Sequence, residues 1–169
     1  LQHFIKKLKV NGKCGMVIKN TFLSNIDNAS IQLRKQLIEE INLFGILDLP
    51  KGTFLGTPTQ TVVLLFEKGK PSKDILFYQL NPERNLGKTN PLNEKDLDDF
   101  IKTFQTKKIN KNSWLVDKQG IDKKTYKLTV KNPNVIEKKE EKNLVQLLKE
   151  SEELEVEFNK TIKTLKELI

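Results

Sequence analysis

The sequence predicts an α/β fold, a partly parallel sheet with flanking helices that is followed by a long C-terminal helix. Three features carry that expectation. Short apolar runs at residues 14–18, 43–49 and 61–66 have the length of strands, an amphipathic stretch separates the first two, and residues 138–169 hold no Pro or Gly and repeat apolar residues at spacings of three and four.

Taken in order, Leu1 to Val10 place Phe4, Ile5 and Leu8 at helical spacing. Asn11-Gly12 then turns the chain into Cys14–Ile18, which reads as a buried strand. Asp27 or Asn28 is placed to cap a helix whose apolar positions Ile31, Leu33, Leu37, Ile38 and Ile41 alternate with charges. Leu43 to Leu49, halted by Pro50-Lys51-Gly52, reads as a second buried strand. Strand, helix and strand together suggest a crossover and a parallel pair. After a loop rich in Gly, Thr and Pro, Thr61 to Phe66 is a strand, and Glu67 to Pro71 is expected to turn it as a hairpin into Ile75–Tyr78. Pro91 and Asn93 precede a helix marked by Leu97, Phe100, Ile101 and Phe104, with acidic residues in its first turn where the helix dipole favours them. Ser113 to Val116 is a short strand, and the run to Asn134 is irregular. The body is therefore expected over residues 1–134 and a helical, coiled-coil-like tail over 135–169. That tail places Leu144, Leu147, Ser151, Leu154, Phe158, Thr161, Leu165 and Leu168 in a heptad rhythm. It either folds back on the body or projects as an arm, and the uncovered stripe favours the arm.

Composition narrows the function classes. No apolar run approaches the ~20 residues of a bilayer span, and the N-terminus lacks a signal-peptide stretch, so a cytoplasmic setting is expected. One cysteine, Cys14, and one histidine, His3, exclude a disulfide framework and a Cys/His zinc site. Thirty Lys+Arg against 22 Asp+Glu give a net charge of +8, and residues 137–169 carry seven lysines against nine glutamates, so the positive surplus lies on the body. Only Arg34 and Arg84 are arginines; the surplus lysines suit phosphate as point charges rather than reading base edges.

Several constellations have a plain explanation. His3 has no serine in a Gly-x-Ser-x-Gly elbow to serve, and Gly69-Lys70-Pro71-Ser72 lacks the upstream glycine of a phosphate loop and reads as a turn. Glu39-Glu40 and Asp98-Asp99 read as solvated helix faces. The loop from Pro50 to the next strand is different, because it holds Phe54 and Gly56 among threonines where strand ends of α/β sheets gather ligands. Phe54 either plugs the domain's own core or offers a stacking platform to a base or ring.

The ordered set Asn11-Gly12-Lys13-Cys14-Gly15-Met16-Val17-Ile18-Lys19-Asn20-Thr21-Phe22-Leu23, Leu33-Arg34-Lys35-Gln36-Leu37, Leu47-Asp48-Leu49-Pro50-Lys51-Gly52-Thr53-Phe54 and Gly56–Gly69, with Lys88–Leu92 and Asn112-Ser113-Trp114 downstream, resembles the C-terminal part of the modification (M) subunits of type I restriction-modification systems, which are adenine-specific DNA methyltransferases. The likeness covers most of residues 11–134. It departs from the family's usual wording at Lys19, Thr21, Pro58, Gln60 and Thr61. The resemblance implies the C-terminal part of a Rossmann-like methyltransferase sheet. It also implies transfer of a methyl group from S-adenosyl-L-methionine to the exocyclic amino group of adenine in DNA, within a complex that includes specificity and restriction subunits.

No Asn-Pro-Pro-Tyr/Phe motif and no Gly-x-Gly after a first strand is present. Both are expected upstream of Leu1, so this fragment is expected to hold no catalytic residue, to bind no S-adenosyl-L-methionine and to be inactive alone. What the resemblance assigns here is the target pocket: Phe54 facing the extruded base, Gly56, Thr57, Thr59 and Gln60 as its wall, and Lys19 and Asn20 as DNA contacts. It further implies that the tail contacts the specificity subunit, and its heptads predict self-association of the isolated chain. The alternative from a different class is a non-catalytic DNA-associated or subunit-docking module built on the same half-fold.

Overall fold

The computed structural model describes residues 1–56, 59–134 and 144–167. The chain divides into two compact units, Leu1–Val135 and Ile136–Ile169. The first runs α1 (Gln2–Lys7), β1 (Lys13–Lys19), a 3₁₀ turn (Asn20–Leu23), α2 (Asn28–Glu39), β2 (Ile41–Leu49), β3 (Thr61–Lys68), β4 (Asp74–Gln79), α3 (Glu94–Thr106) and β5 (Ser113–Asp117). The second holds α4 (Leu144–Glu167). A mixed α/β architecture with a long C-terminal helix is thus present.

The five strands form one sheet in the order β1-β3-β2-β4-β5. β3 lies between β1 and β2 and is antiparallel to both, β2 and β4 are parallel, and β5 returns antiparallel to β4. Two expectations change here. β1 and β2 do point the same way, but they are not neighbours, because β3 is inserted between them. The β3–β4 hairpin does not form, since both edges of β3 are already paired and residues 69–73 instead carry the chain past the start of β2 to its far edge. Ser72 fixes that passage: it is buried, its N–H donates to the Ile38 carbonyl at 2.9 Å, and its hydroxyl accepts from the Leu43 N–H at 2.9 Å. A residue read from sequence as part of a hairpin turn is therefore a buried strut.

β1 also differs from the buried strand expected. Its residues alternate between exposed and half-buried, as befits a strand whose only described partner is β3. The central strand β2 is apolar toward both faces, as expected.

Helices cover the two faces. Leu37 and Ile38 of α2 are buried with Leu43, Ile46, Val62, Leu64, Phe66, Ile75, Phe77 and Leu128. Each such side chain contributes about 1.5–3 kcal/mol. Asp27 caps this helix by accepting from the Ser30 N–H at 2.9 Å. On the other face Leu47, Leu49, Tyr78 and Leu80 meet Leu97 and Phe100 of α3. Asn93 and Asp96 form a reciprocal capping box at the start of α3, which is why the sequence signal there is strong.

Arg34 ties the irregular C-terminal run of this unit to α2. It is wholly buried; its guanidinium donates to the carbonyls of Phe22 (2.6 Å), Asn25 (2.7 Å), Thr125 (2.7 Å) and Tyr126 (2.8 Å) and lies over the Phe22 ring. Glu39 departs from the solvated role expected, while Asp99 is exposed on α3 as expected. Glu39 pairs with Lys118, and Asp99 accepts from the Tyr78 hydroxyl at 2.6 Å.

Along α4, Ser151, Leu154, Phe158 and Thr161 of the heptad set are exposed, as are Leu148, Val156 and Ile162. Leu168 and the side chains of Leu144, Leu147 and Leu165 lie outside the described residues.

Candidate functional site

β1, β2 and β4 share one direction, so their carboxyl ends, and the start of β3, lie at one end of the sheet. The segments Asn20–Leu23, Pro50–Gln60 and Leu80–Asn93 all emerge there. This is where an open α/β sheet gathers ligands.

Most of the residues singled out from sequence meet at this end. Lys19, exposed, stands opposite Thr61 in the β1–β3 register, and the Asn20 N–H donates to the Gln60 carbonyl at 3.0 Å. The Gln60 side chain turns to β2, where its amide Nε2 donates to Asp48 Oδ1 at 2.9 Å. Thr59 is half-buried beside it in the chain. Thr57 lies outside the described residues.

Phe54 occupies the loop between β2 and β3. The base of that loop is tied down, because the Pro50 carbonyl accepts from both the Thr53 N–H and the Thr53 hydroxyl, the latter at 2.7 Å. Gly52 is required twice over: its φ is +83°, and a Cβ there would stand 2.3 Å from the Leu86 carbonyl oxygen. Gly56 also has a left-handed φ, +81°, but open space around it. Between these glycines Phe54 is 42% exposed and belongs to neither core cluster. The reading in which its ring plugs the domain's own core is thereby removed.

Beside this loop, Pro50, Lys51 and Gly52 face Asn81, Arg84 and Asn85 across an open cleft of about 410 Å³. Arg84 is held by Asp96 at 2.6 Å and by the Pro91 carbonyl at 3.2 Å. With Arg34 buried, both arginines of the chain are committed to internal partners, and the exposed cations near the sheet end include Lys19, Lys51 and Lys88. A second cleft, about 330 Å³, is lined by Tyr78, Asp99 and Asn110 on the α3 side. Burial and the adjacent Asp99 push the Tyr78 phenol well above its usual range, so it remains a hydrogen-bond donor.

Asp48 is the functional candidate that reading the sequence missed. It is the only charged residue of β2, burial raises its carboxyl above the ordinary aspartate range, and the Gln60 amide works against that rise. A lone carboxylate in an apolar strand was the available signal. Among the described residues, no group of three or more His, Cys, Asp or Glu is placed to hold a metal, and no helix is long and apolar enough to cross a membrane.

Comparison with known proteins decides the family, since the family model described as N-6 DNA methylase matches residues 1–143. The chain belongs to the N-6 DNA methylase family. The chain is similar to the type I restriction enzyme EcoEI methylase subunit of Escherichia coli, at 29% identity over 144 residues that make up 79% of the chain and 29% of that relative. The chain thus spans about three tenths of the length of this curated relative. Among solved structures, it matches a chain of the type I R-M system with a TM-score of 0.73 and 29% identity, over 99% of this chain and 38% of the other. It also matches the methyltransferase subunit of a type I restriction-modification system from Streptococcus thermophilus, with a TM-score of 0.61 and 25% identity over 73% of this chain and 26% of that one. The likeness to type I modification subunits read from residues 11–134 is therefore the likeness these proteins carry.

Proposed function

We propose that this methylase chain is the target-pocket portion of an adenine-specific DNA methyltransferase of a type I restriction-modification complex, which transfers a methyl group from S-adenosyl-L-methionine to the exocyclic amino nitrogen of adenine. The observation that carries this reading is a single one. In a member of the N-6 DNA methylase family, an exposed phenylalanine stands on a pinned loop at the carboxyl end of the sheet, and a glutamine is anchored at the start of β3.

The described residues do not fit S-adenosyl-L-methionine by themselves. The turn after β1 buries Phe22 and Leu23, and Gly52 after β2 is closed over by Leu86, so neither turn offers a nucleotide cradle. No step is assigned through the cofactor here; what this chain supplies is recognition of the base. Adenine in duplex DNA keeps its amino group inside the stack, so it must be swung out of the helix to be modified, at a cost of a few kcal/mol in lost stacking and pairing. A ring that takes over the stacking offsets that cost by ~1–3 kcal/mol. Phe54 has the exposure and the fixed loop base such a ring needs, with Gly56, Thr59 and Gln60 as the adjoining wall. Lys19 and Asn20, at the end of β1, are the contacts this reading gives to the phosphates beside the extruded base.

The partners follow from the same reading: DNA, a specificity subunit and a restriction subunit, in the cytoplasm. The exposed apolar residues of α4 serve as an arm toward the specificity subunit and drive self-association of the isolated chain. The test is methyl transfer by the intact methylase assembled with its specificity subunit, given methyl-labelled S-adenosyl-L-methionine and duplex DNA. Label is expected in N6-methyladenine. Salt-sensitive DNA binding without any transfer would support a non-catalytic DNA-associated module instead.

A further inference from the structure

We propose that Arg84 is a positioning residue that holds the chain between β4 and α3 in place and, through the backbone of Leu86, sets where the base of the Phe54 loop stands. This inference rests on the base-pocket reading above and names what stands behind its ring.

The contact between the two segments is one of main chains. A Cβ on Gly52 would lie 2.3 Å from the carbonyl oxygen of Leu86 and 2.9 Å from its carbonyl carbon, so nothing larger than a hydrogen fits between them. Phe54 follows two residues later, and the Thr53 hydroxyl between them donates to the Pro50 carbonyl at 2.7 Å. The loop base therefore cannot move toward Leu86, and it loses its support if Leu86 moves away.

Leu86 lies in a run, residues 80–93, that has no helix or strand of its own. Its ends are fixed, by the Leu80 N–H donating to the Asp48 carbonyl at 2.9 Å and by the capping box at Asn93. Within the run, Gly87 and Asn90 exchange backbone bonds at 3.1 and 3.2 Å, and the Asn90 amide donates to the Asn85 carbonyl at 3.2 Å. Those bonds close the run on itself and fasten it to nothing else. Arg84 supplies the fastening: its Nη2 donates to Asp96 Oδ2 at 2.6 Å, the same oxygen that accepts the Asn93 N–H at 2.8 Å, and to the Pro91 carbonyl at 3.2 Å. The pair is largely covered, with side-chain exposures of 26% and 11%. The other charged tie from this run, Glu83 to Lys111 at 3.4 Å, is exposed at both ends and holds little. Nη1 of Arg84 is shielded from solvent with no partner among the described residues, a cost that an apolar side chain would not carry, so it is the bond to α3 that accounts for an arginine here.

The experiment uses the intact methylase–specificity complex and reads hydrogen–deuterium exchange over residues 50–56 together with single-turnover methyl transfer. Arg84→Gln is expected to speed exchange in that loop about fivefold while α2 and β2 keep the parent rates, and to slow transfer about tenfold with cofactor affinity unchanged. Arg84→Lys, which keeps a charge opposite Asp96, is expected to recover part of both, and Glu83→Gln in the same run is expected to leave loop exchange unchanged. Added to Phe54→Ala, Arg84→Gln is expected to slow transfer no further, since Arg84 acts only through the loop. Loop exchange at the parent rate in Arg84→Gln, or in Arg84→Lys should Arg84→Gln fail to assemble, would overturn the inference, as would acceleration spread evenly over α2 and β2, which marks a general loss of stability. A Phe54→Ala complex that transfers at the parent rate would instead remove the base-pocket reading, and this inference with it; a slow Phe54→Ala complex beside a parent-rate Arg84→Gln complex would remove this inference alone.

Discussion

Replacing Phe54 with alanine separates a loss of base capture from a loss of fold. The ring is 42% exposed and outside both core clusters, so a little over half of its surface is covered in the free protein. Full burial of such a side chain is worth about 1.5–3 kcal/mol, which puts the stability cost of Phe54→Ala at about 1–1.5 kcal/mol. Phe66 is the control: it is 0% exposed in the centre of β3, and Phe66→Ala is expected to cost about 3–5 kcal/mol and to compromise folding. Stacking on an extruded base is worth ~1–3 kcal/mol, so if Phe54 supplies it, Phe54→Ala slows methylation about 5- to 150-fold. The assay is single-turnover transfer of labelled methyl groups by the intact complex, with cofactor affinity measured by calorimetry and folding by thermal melting. A slowed reaction with unchanged cofactor affinity and a small melting shift is the expected pattern. A Phe54→Ala enzyme that folds and methylates at the parent rate would refute the assignment.

Arg34→Met leaves carbonyls from two separate segments without their shared donor, and a loss of about 3–5 kcal/mol is expected in denaturant titrations; Arg34→Lys, which lacks the planar fork, should recover only part of it. Asp48→Asn tests the cost of the buried carboxylate. A native carboxyl whose pKa is raised holds its proton more tightly than the unfolded one, so its ionisation opposes folding. That penalty is absent below about pH 4, grows as pH rises toward the raised native value, and is complete above it. The variant is therefore expected to melt at or above the parent temperature near pH 7.5, with the difference vanishing in acid. Gly52→Ala places a Cβ against the Leu86 carbonyl in a left-handed conformation, so the Pro50–Gln60 loop must shift. Faster proteolysis within that loop and slower methylation are expected, with little change in cofactor binding.

Where local chemistry decides an element, the sequence showed it. The capping residues Asp27 and Asn93 marked the starts of α2 and α3, and the apolar run of β2 marked a strand buried on both faces. What it did not show was pairing. Thr61–Phe66 is a strand from any angle, but nothing in its residues says that it inserts between β1 and β2, because an antiparallel insertion uses the same apolar alternation as a hairpin. The five-residue link after β3 looked like a hairpin turn, and only the buried hydroxyl of Ser72 bonded to β2 distinguishes it from one. Arg34 was hidden for a related reason: its partners Thr125 and Tyr126 lie in a run with no periodicity, so a charge at a helical position gave no hint of burial. At the site, Lys19, Asn20, Phe54, Gly56 and Gln60 were singled out as residues, while the Asp48 carboxylate that anchors Gln60 emerged from the fold.

The account turns on whether the Phe54 ring lies against the base drawn out of the duplex. Photocrosslinking tests that contact most directly: a halogenated pyrimidine replaces the target adenine, the intact complex is irradiated, and the attached peptide is sequenced. The account predicts attachment at Phe54, lost in Phe54→Ala. Attachment at another aromatic residue, with Phe54 unmodified, would contradict it.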